Sequence, residues 1–217
     1  MPGYQIKCWS EENISLCNIP FVQEAIAVKQ YPAAADYIRL YALFTEGGIY
    51  LDSDVEVLRP FDAFLENKFF SGTEAAVNNG KMGFNIEAAI MGAEPGHPFV
   101  RECMKYYEER HFVHEDGSFD NKYNIMPWVI SSIAKGMYGY GYENREYQMK
   151  DGVTIYSTDY FTNNLCYDYF FSPDTYAVHR NAGSWMEMEH RGWLYHFCRK
   201  HNLMFYYKKI ESLIAKI

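Results

Sequence analysis

Two aspartates, Asp52 and Asp54, stand two residues apart within a strongly apolar segment. The segment from Ile49 to Leu58 is closed by Pro60 and has the composition of a β-strand. Residues i and i+2 of a strand point to the same face, so the two carboxylates are expected to converge on one point. Carboxylate oxygens are the ligands that Mg²⁺ and Mn²⁺ prefer, with coordination positions left for water and phosphate oxygens. The pair therefore predicts a divalent-metal site.

Other interpretations of the pair differ in how well the neighbouring residues fit them. A calcium-binding EF-hand loop requires Gly at its sixth position and Glu at its twelfth. Val57 and Ala63 occupy those positions, so this kind of site is excluded. A phosphatase with an aspartyl nucleophile is disfavoured because Val55 and Glu56 follow the motif and a large helical segment precedes it. A lectin-type cation site and a pair of solvated acids both stay open.

The segment before the aspartates predicts a helix from Ala33 to Glu46 that ends at Gly47 and Gly48. Asp36 and Arg39 lie one turn apart on one face of this helix, and that face is otherwise apolar. At this position Arg39 can hold a phosphate or a sugar, and Asp36 can accept hydrogen bonds from hydroxyl groups. The alternative is a surface salt bridge that contributes little to stability.

Helical and strand patterns alternate along the chain. A helix is predicted over residues 18–31 and another from residue 98 to about residue 110, with a shorter one over residues 127–134. The predicted strands, besides the one with the aspartates, cover residues 5–9, 88–92, 153–156 and 176–179. Helices that alternate with strands predict an α/β layer fold with a mostly parallel central sheet.

The composition restricts the function classes. The chain has 217 residues, of which 48% are hydrophobic and 22% charged, so it can bury a core. A net charge of −8 argues against nucleic acid as a partner, because phosphate backbones require a basic surface. Five cysteines without a CxxC pair indicate reduced thiols and a cytoplasmic location. No signal peptide and no membrane-spanning apolar run is recognised, so we expect a soluble or peripheral protein.

The segment from Arg191 to Ile217 is amphipathic and rich in aromatic and basic residues, with six Lys or Arg against Glu211 alone. Such a tail can lie on an anionic membrane, here the inner face of the cell membrane, where a lipid-linked acceptor would be displayed. The alternative is a closing helix packed on the sheet.

The runs from Ala35 to Leu43 and from Gly47 to Val55 resemble the DXD region of glycosyltransferase family 32, which includes initiating α-mannosyltransferases and capsular-polysaccharide enzymes. They are also similar to the donor site of glucosylating bacterial toxins. Later segments match in order: residues 88–93 with residues 96–98, then residues 176–179 with residues 183–185. The resemblance covers the chain from about residue 4 to about residue 195.

The resemblance implies a GT-A-like fold over a single glycosyltransferase domain, residues 1–217. It also implies a retaining hexosyltransferase that uses Mn²⁺ or Mg²⁺ and a UDP- or GDP-hexose donor. The acceptor would be a glycan or a lipid-linked acceptor in polysaccharide or capsule biosynthesis.

By position, the resemblance makes Asp54 the direct metal ligand, while Asp52 contacts the ribose or donor sugar and completes the metal shell. His179 is a further ligand of the metal or the diphosphate.

The remaining roles concern the donor. Asp36 and Arg39 would hold its sugar, and Ser184 and Trp185 would close over its diphosphate. Glu87 stands where the family places a polar residue that faces the donor, and it joins the two aspartates as a catalytic candidate.

The chain departs from the family pattern at its start. The family begins with an apolar strand that carries Ile-Pro-Lys and a His, and no such strand precedes Tyr4. The fold is therefore expected to lack its first strand, and a catalytically inactive sugar- or nucleotide-binding homologue is the alternative function. A metal-dependent phosphohydrolase is a third.

Overall fold

The computed structural model describes residues 3–9, 19–78, 81–119, 125–163 and 172–180, together with Phe197. Its helices are α1 (Pro20–Ala27), α2 (Tyr31–Glu46), α3 (Pro98–Glu108) and α4 (Met126–Tyr138), with short 3₁₀ turns at Phe61–Phe64 and Lys150–Gly152. Its strands are β1 (Gly48–Leu51), β2 (Val55–Val57), β3 (Phe69–Asn78), β4 (Lys81–Ala93), β5 (Tyr147–Gln148), β6 (Val153–Tyr156), β7 (Phe161–Asn163) and β8 (Ala177–His179).

The strands form two mixed sheets. The larger has the order β1-β4-β3-β6-β5, and the smaller has the order β2-β8-β7. Only the pairs β3–β6 and β7–β8 are parallel among the described strands, and the other four pairs are antiparallel. The α/β class predicted from the sequence is confirmed, and the mixed sheet, which includes parallel strand pairs, is consistent with the predicted GT-A-like architecture. The prediction of a mostly parallel sheet is wrong, because β3 and β4 form a long antiparallel hairpin at the centre of the larger sheet.

Helix α2 follows the predicted pattern and ends at the predicted residue, Glu46. The helix buries Tyr37, Leu40 and Leu43 in the main hydrophobic core and is capped by Gly47, whose N–H donates to the Leu43 carbonyl at 2.9 Å. Gly47 has a φ of 70°, and a Cβ there would lie 2.6 Å from Cδ of Pro95. Glycine is therefore required at this turn, which delivers the chain directly into β1.

The amino-terminal segment differs from its prediction. Residues 4–9 form no strand, and they lie along α2 through an ion pair of Lys7 with Glu46 and a ring contact of Trp9 with Tyr41. Among the described residues, Cys8 is an exposed free thiol and Cys103 a buried one. In the ranges given above, no helix has the length and apolarity needed to cross a bilayer.

An aromatic cluster joins the two sheets. Phe70 and Ile90 come from the larger sheet and pack against Phe161 and Ala177 of the smaller one, with Phe61 and Phe64 of the 3₁₀ turn filling the space beside them. The ring centroids of Phe70 and Phe161 are 6.2 Å apart, and the angle between the two ring planes is 24°. Burying each phenylalanine side chain contributes about 1.5–3 kcal/mol to the free energy of unfolding. This cluster fixes the position of β8 relative to β4.

We expect Gly92→Ala to destabilise this junction. Gly92 pairs with Phe70 across β3 and β4, and a Cβ on Gly92 would lie 2.0 Å from the Phe70 ring. Forcing the ring aside should cost about 1–3 kcal/mol of unfolding free energy, measured by urea denaturation.

Gly136→Ala is the matched control, because it adds the same methyl group in α4 where nothing lies within 4 Å. It should stabilise the protein by about 0.5–1 kcal/mol through its helix propensity. Equal stability of the two variants would contradict the packing described.

Candidate functional site

Asp52 and Asp54 lie in a turn between two sheets. Strand β1 ends at Leu51 and pairs with β4, whereas β2 begins at Val55 and pairs with β8 of the smaller sheet. The turn is closed by the Val55 N–H, which donates to the Asp52 carbonyl at 3.1 Å. The single strand predicted from Ile49 to Leu58 is therefore wrong. The carboxylates converge because the chain turns between them, and not because they share a strand face.

His179 approaches the turn from β8. It pairs with Val55 in the β2–β8 ladder, and its Nε2 lies 3.4 Å from Oδ1 of Asp54. One ligand atom each from Asp52, Asp54 and His179 can be chosen so that all three lie within 4.8 Å of one another. All three side chains are partly exposed. The residues predicted as metal ligands are thus close together.

The chemistry of these three side chains fits a divalent cation. Two carboxylates in close approach repel each other unless a positive charge or hydrogen-bond donors lie between them. Carboxylate oxygens with one imidazole nitrogen suit a first-row ion such as Mn²⁺, and Mg²⁺ accepts the carboxylates. Because the group is partly exposed, coordination positions stay open for phosphate oxygens. The cluster can therefore hold a metal ion.

Arg39 connects helix α2 to the aspartate turn. Its guanidinium lies 3.1 Å from Oδ1 of Asp52 and 3.3 Å from Oδ1 of Asp36, and it donates to the Ala88 carbonyl at 3.0 Å. The side chains of Asp36 and Arg39 are each only 9% exposed, so this is no surface salt bridge. Arg39 thereby orients one of the two carboxylates of the cluster.

Tyr50 is a site residue that sequence reasoning missed. Its hydroxyl donates to Oδ1 of Asp52 at 2.6 Å, and its ring lies 4.7 Å from Cζ of Arg39. The signal was present, because Tyr50 is two residues before Asp52 at the end of β1, where both can point to one side. Asp52 is consequently held by a phenol and a guanidinium.

Asp36 is a buried acid of the site with a raised pKa. Burial raises the pKa of Asp36 to about 7, although Arg39 acts to lower it, and Asp52 adds to the rise. The protonated form of this carboxyl is therefore accessible near neutral pH. Its protonated form can donate a hydrogen bond to a ligand oxygen.

Glu87 lies behind His179. Its side chain is 1% exposed, and its Oε1 lies 3.2 Å from Nδ1 of His179 and accepts a hydrogen bond from the Ala89 N–H at 2.8 Å. Burial tends to raise the pKa of Glu87, but His179, the Ala89 N–H and Glu74 leave that pKa below its ordinary value. A direct contact between Glu87 and a donor stays a prediction, and the burial of the side chain does not favour it.

His179 responds to the same surroundings. Burial tends to lower the pKa of His179, but Glu87, Asp54 and Asp52 outweigh burial and raise it above its ordinary value. In the metal-free site the imidazole is therefore readily protonated, and it compensates part of the negative charge.

Two predicted donor contacts cannot be placed. Ser184 and Trp185 lie outside the described residues, as does the carboxyl-terminal segment apart from Phe197. Their roles, and the contact of that segment with a membrane, stay predictions.

Comparison with known proteins identifies the part of the chain that contains the aspartate turn as similar to a known family. Residues 1–70 match the model of a family described as "Glycosyltransferase sugar-binding region containing DXD motif". This range includes Asp36, Arg39, Tyr50, Asp52 and Asp54. The resemblance to DXD glycosyltransferases predicted from the sequence is confirmed.

Two curated proteins are similar over part of their length. Glucan organizing enzyme 1 of Cryptococcus neoformans var. grubii is 29% identical over 107 residues, which is 48% of this chain and 28% of that protein. An uncharacterized protein of Arabidopsis thaliana is 36% identical over 80 residues, which is 36% of this chain and 11% of that protein. The matches thus span less than a third of each relative.

The pH dependence of stability tests the burial of Asp36. A raised pKa means that the folded state disfavours the charged carboxylate and favours the protonated carboxyl. The contribution of Asp36 to the free energy of unfolding is therefore greatest below the pKa that it has in the unfolded chain, and it is lost as the pH rises through the folded-state pKa. The wild type should lose stability relative to Asp36→Asn between about pH 4 and pH 7, by at most about 1.4 kcal/mol per pH unit. Urea denaturation across this range measures it.

Asp174→Asn provides the matched control, because Asp174 is exposed. Its stability should parallel that of the wild type at every pH. Parallel curves for Asp36→Asn and the wild type would contradict the buried, raised pKa.

Metal binding tests the cluster directly. Asp54→Asn removes one negative charge and one strong ligand from the group of Asp52, Asp54 and His179, so the affinity for Mn²⁺ should fall at least about 10-fold. Electron paramagnetic resonance of free Mn²⁺ during a titration gives the affinity, and Asp174→Asn should bind as the wild type does. Unchanged affinity of Asp54→Asn would exclude this cluster as the metal site.

Proposed function

We propose that this chain is a metal-dependent glycosyltransferase that moves a hexose from a nucleotide-diphosphate sugar to a glycan or lipid-linked acceptor. The observation that carries the proposal is the convergence of Asp52, Asp54 and His179 at a turn within the segment that matches a DXD sugar-binding region. A carboxylate cluster alone is common in proteins. Its coincidence with that sequence match and with the buried Arg39 favours a donor site.

The metal ion would be held by Asp54, Asp52 and His179, and it would be Mn²⁺ or Mg²⁺. When bound, it would neutralise the negative charge that develops on the departing nucleoside diphosphate. Because the chain has a net charge of −8, its own surface offers little other attraction for a diphosphate.

The donor sugar would lie next to Asp36 and Arg39. Arg39 is already oriented by Asp36 and Asp52, so its guanidinium is preorganised and loses little freedom on binding. Asp36 would meet sugar hydroxyls either as an acceptor or, when protonated, as a donor. Ser184 and Trp185 would contact the diphosphate, as the resemblance implies.

The finer assignments follow from the resemblance. They are a UDP- or GDP-hexose donor, retention at the anomeric carbon and a role in polysaccharide or capsule biosynthesis. The name of the fungal relative, Glucan organizing enzyme 1, refers to a glucan and agrees with a polysaccharide acceptor. Residues 1–217 would act as one domain, with the basic aromatic tail from residue 191 at a membrane surface.

A donor-hydrolysis screen tests the proposal. The wild type should release free hexose from one of a set of UDP- and GDP-hexoses when Mn²⁺ is present, and chelation of the metal should stop it. Asp54→Asn should reduce this turnover at least about 100-fold, since the charge on the leaving diphosphate is then poorly compensated. Asp174→Asn should retain it.

Other outcomes decide between function classes. Metal-dependent donor binding without turnover would indicate a catalytically inactive homologue and contradict the proposal. Release of inorganic phosphate from simple phosphoesters would indicate a phosphohydrolase. Where turnover is seen, the anomeric configuration of the first product, read by proton NMR, decides between retention and inversion.

A further inference from the structure

The His179 imidazole lies between two carboxylates. Its Nε2 is 3.4 Å from Oδ1 of Asp54, on the side of the metal cluster. Its Nδ1 is 3.2 Å from Oε1 of Glu87, on the side of the larger sheet. The two ring nitrogens thus have separate partners, one partly exposed and one buried.

Glu87 is fixed in the larger sheet. It lies within β4, its Oε1 accepts a hydrogen bond from the Ala89 N–H at 2.8 Å, and its carbonyl accepts one from the Ser71 hydroxyl at 2.6 Å. Its side chain is 1% exposed, whereas that of His179 is 13% exposed. Glu87 is therefore the anchored member of the pair, and the imidazole is the member that is oriented.

A carboxylate at Nδ1 determines which nitrogen can bind a metal. A neutral imidazole carries its proton on one nitrogen and offers the lone pair of the other. A fixed acceptor beside Nδ1 favours the proton there, which leaves the Nε2 lone pair facing Asp54. The same contact restricts rotation of the ring and increases the basicity of the ligating nitrogen.

We propose that Glu87 is a positioning residue, which holds His179 in the orientation and tautomer that present Nε2 to a divalent ion shared with Asp52 and Asp54. The inference rests on the proposed function, and it assigns Glu87 a task other than contact with the donor. The buried carboxylate acts through the imidazole, so it affects the donor only through the metal.

Manganese titrations of substituted proteins test this proposal without any donor. Glu87→Gln keeps a neutral acceptor at Nδ1 and should weaken Mn²⁺ binding about 10-fold, while Glu87→Leu removes the acceptor and should weaken it towards about 100-fold. In the background of His179→Ala the same substitutions at Glu87 should cause no further loss. Circular dichroism and metal-free thermal unfolding establish that each variant is folded.

A purely structural role of Glu87 would give a different pattern. The variants would then be less stable, but folded molecules would bind Mn²⁺ as tightly as the wild type. Wild-type affinity of Glu87→Leu, or an equal loss with and without His179, would overturn the proposal.

The wild type supplies a second measurement, which decides the matter if the Glu87 variants do not fold. With diamagnetic Zn²⁺ in place of Mn²⁺, proton–nitrogen NMR should show His179 protonated at Nδ1 and unprotonated at Nε2, with His179→Ala used to assign the signals. The opposite tautomer would overturn the proposal.

Failure of this inference can be distinguished from failure of the proposed function. If Mn²⁺ binding follows the expected pattern but no nucleotide sugar is turned over, the role of Glu87 stands and the transferase activity does not. If the wild type binds no Mn²⁺, both are overturned.

Discussion

The short antiparallel ladder between β2 and β8 is the interaction on which the site depends. It joins the residues just after the aspartate turn to the strand that ends at His179, and the Arg180 N–H extends it by donating to the Asp54 carbonyl at 3.0 Å. Without this ladder the His179 imidazole would not be held near the two carboxylates. The ladder is held in place by the aromatic cluster around Phe64 and Phe161, whose ring centroids are 5.1 Å apart. Packing of apolar rings thus positions the polar groups.

The site contains more acidic than basic side chains, and this excess favours the binding of a cation. Asp36, Asp52, Asp54 and Glu87 meet only Arg39 and His179 as basic partners in the contacts described above. Arg39 is always charged, but it is shared between Asp36 and Asp52. Asp52, Asp54 and His179 stand at the partly exposed end of the cluster, where an ion and its phosphate ligands can approach from solvent.

The local elements of the site were predictable from the sequence. Helix α2, its glycine end and the strand at His179 have clear periodic or terminating signals, and the Asp36–Arg39 spacing follows from helix geometry. The break at Asp52 was missed. Asp and Ser favour turns, so Asp52, Ser53 and Asp54 carried a turn signal, but a weak one, since no Gly or Pro stands between Ile49 and Leu58. That break is imposed by pairing: each half of the run bonds to a strand of a different sheet.

The long-range contacts of the fold also could not be predicted from the periodicity of the sequence. The hairpin of β3 and β4 makes the sheet mixed, and alternation in one strand carries no information about the direction of its neighbour. The burial of Glu87 follows from its position in this hairpin and not from its neighbours in sequence. Such contacts depend on which strands meet, and that is decided by the packing of the whole domain.

The position of the aspartate turn between two sheets has a thermodynamic consequence. An ion bound there would be held by side chains anchored in both sheets, and it would link them much as a covalent crosslink does. A ligand that binds only the folded state stabilises it by about 2.7 kcal/mol when present at 100 times its dissociation constant. The small sheet, whose strands are only three residues long, would gain most from this linkage. Metal occupancy would therefore control the order of the site as well as its charge.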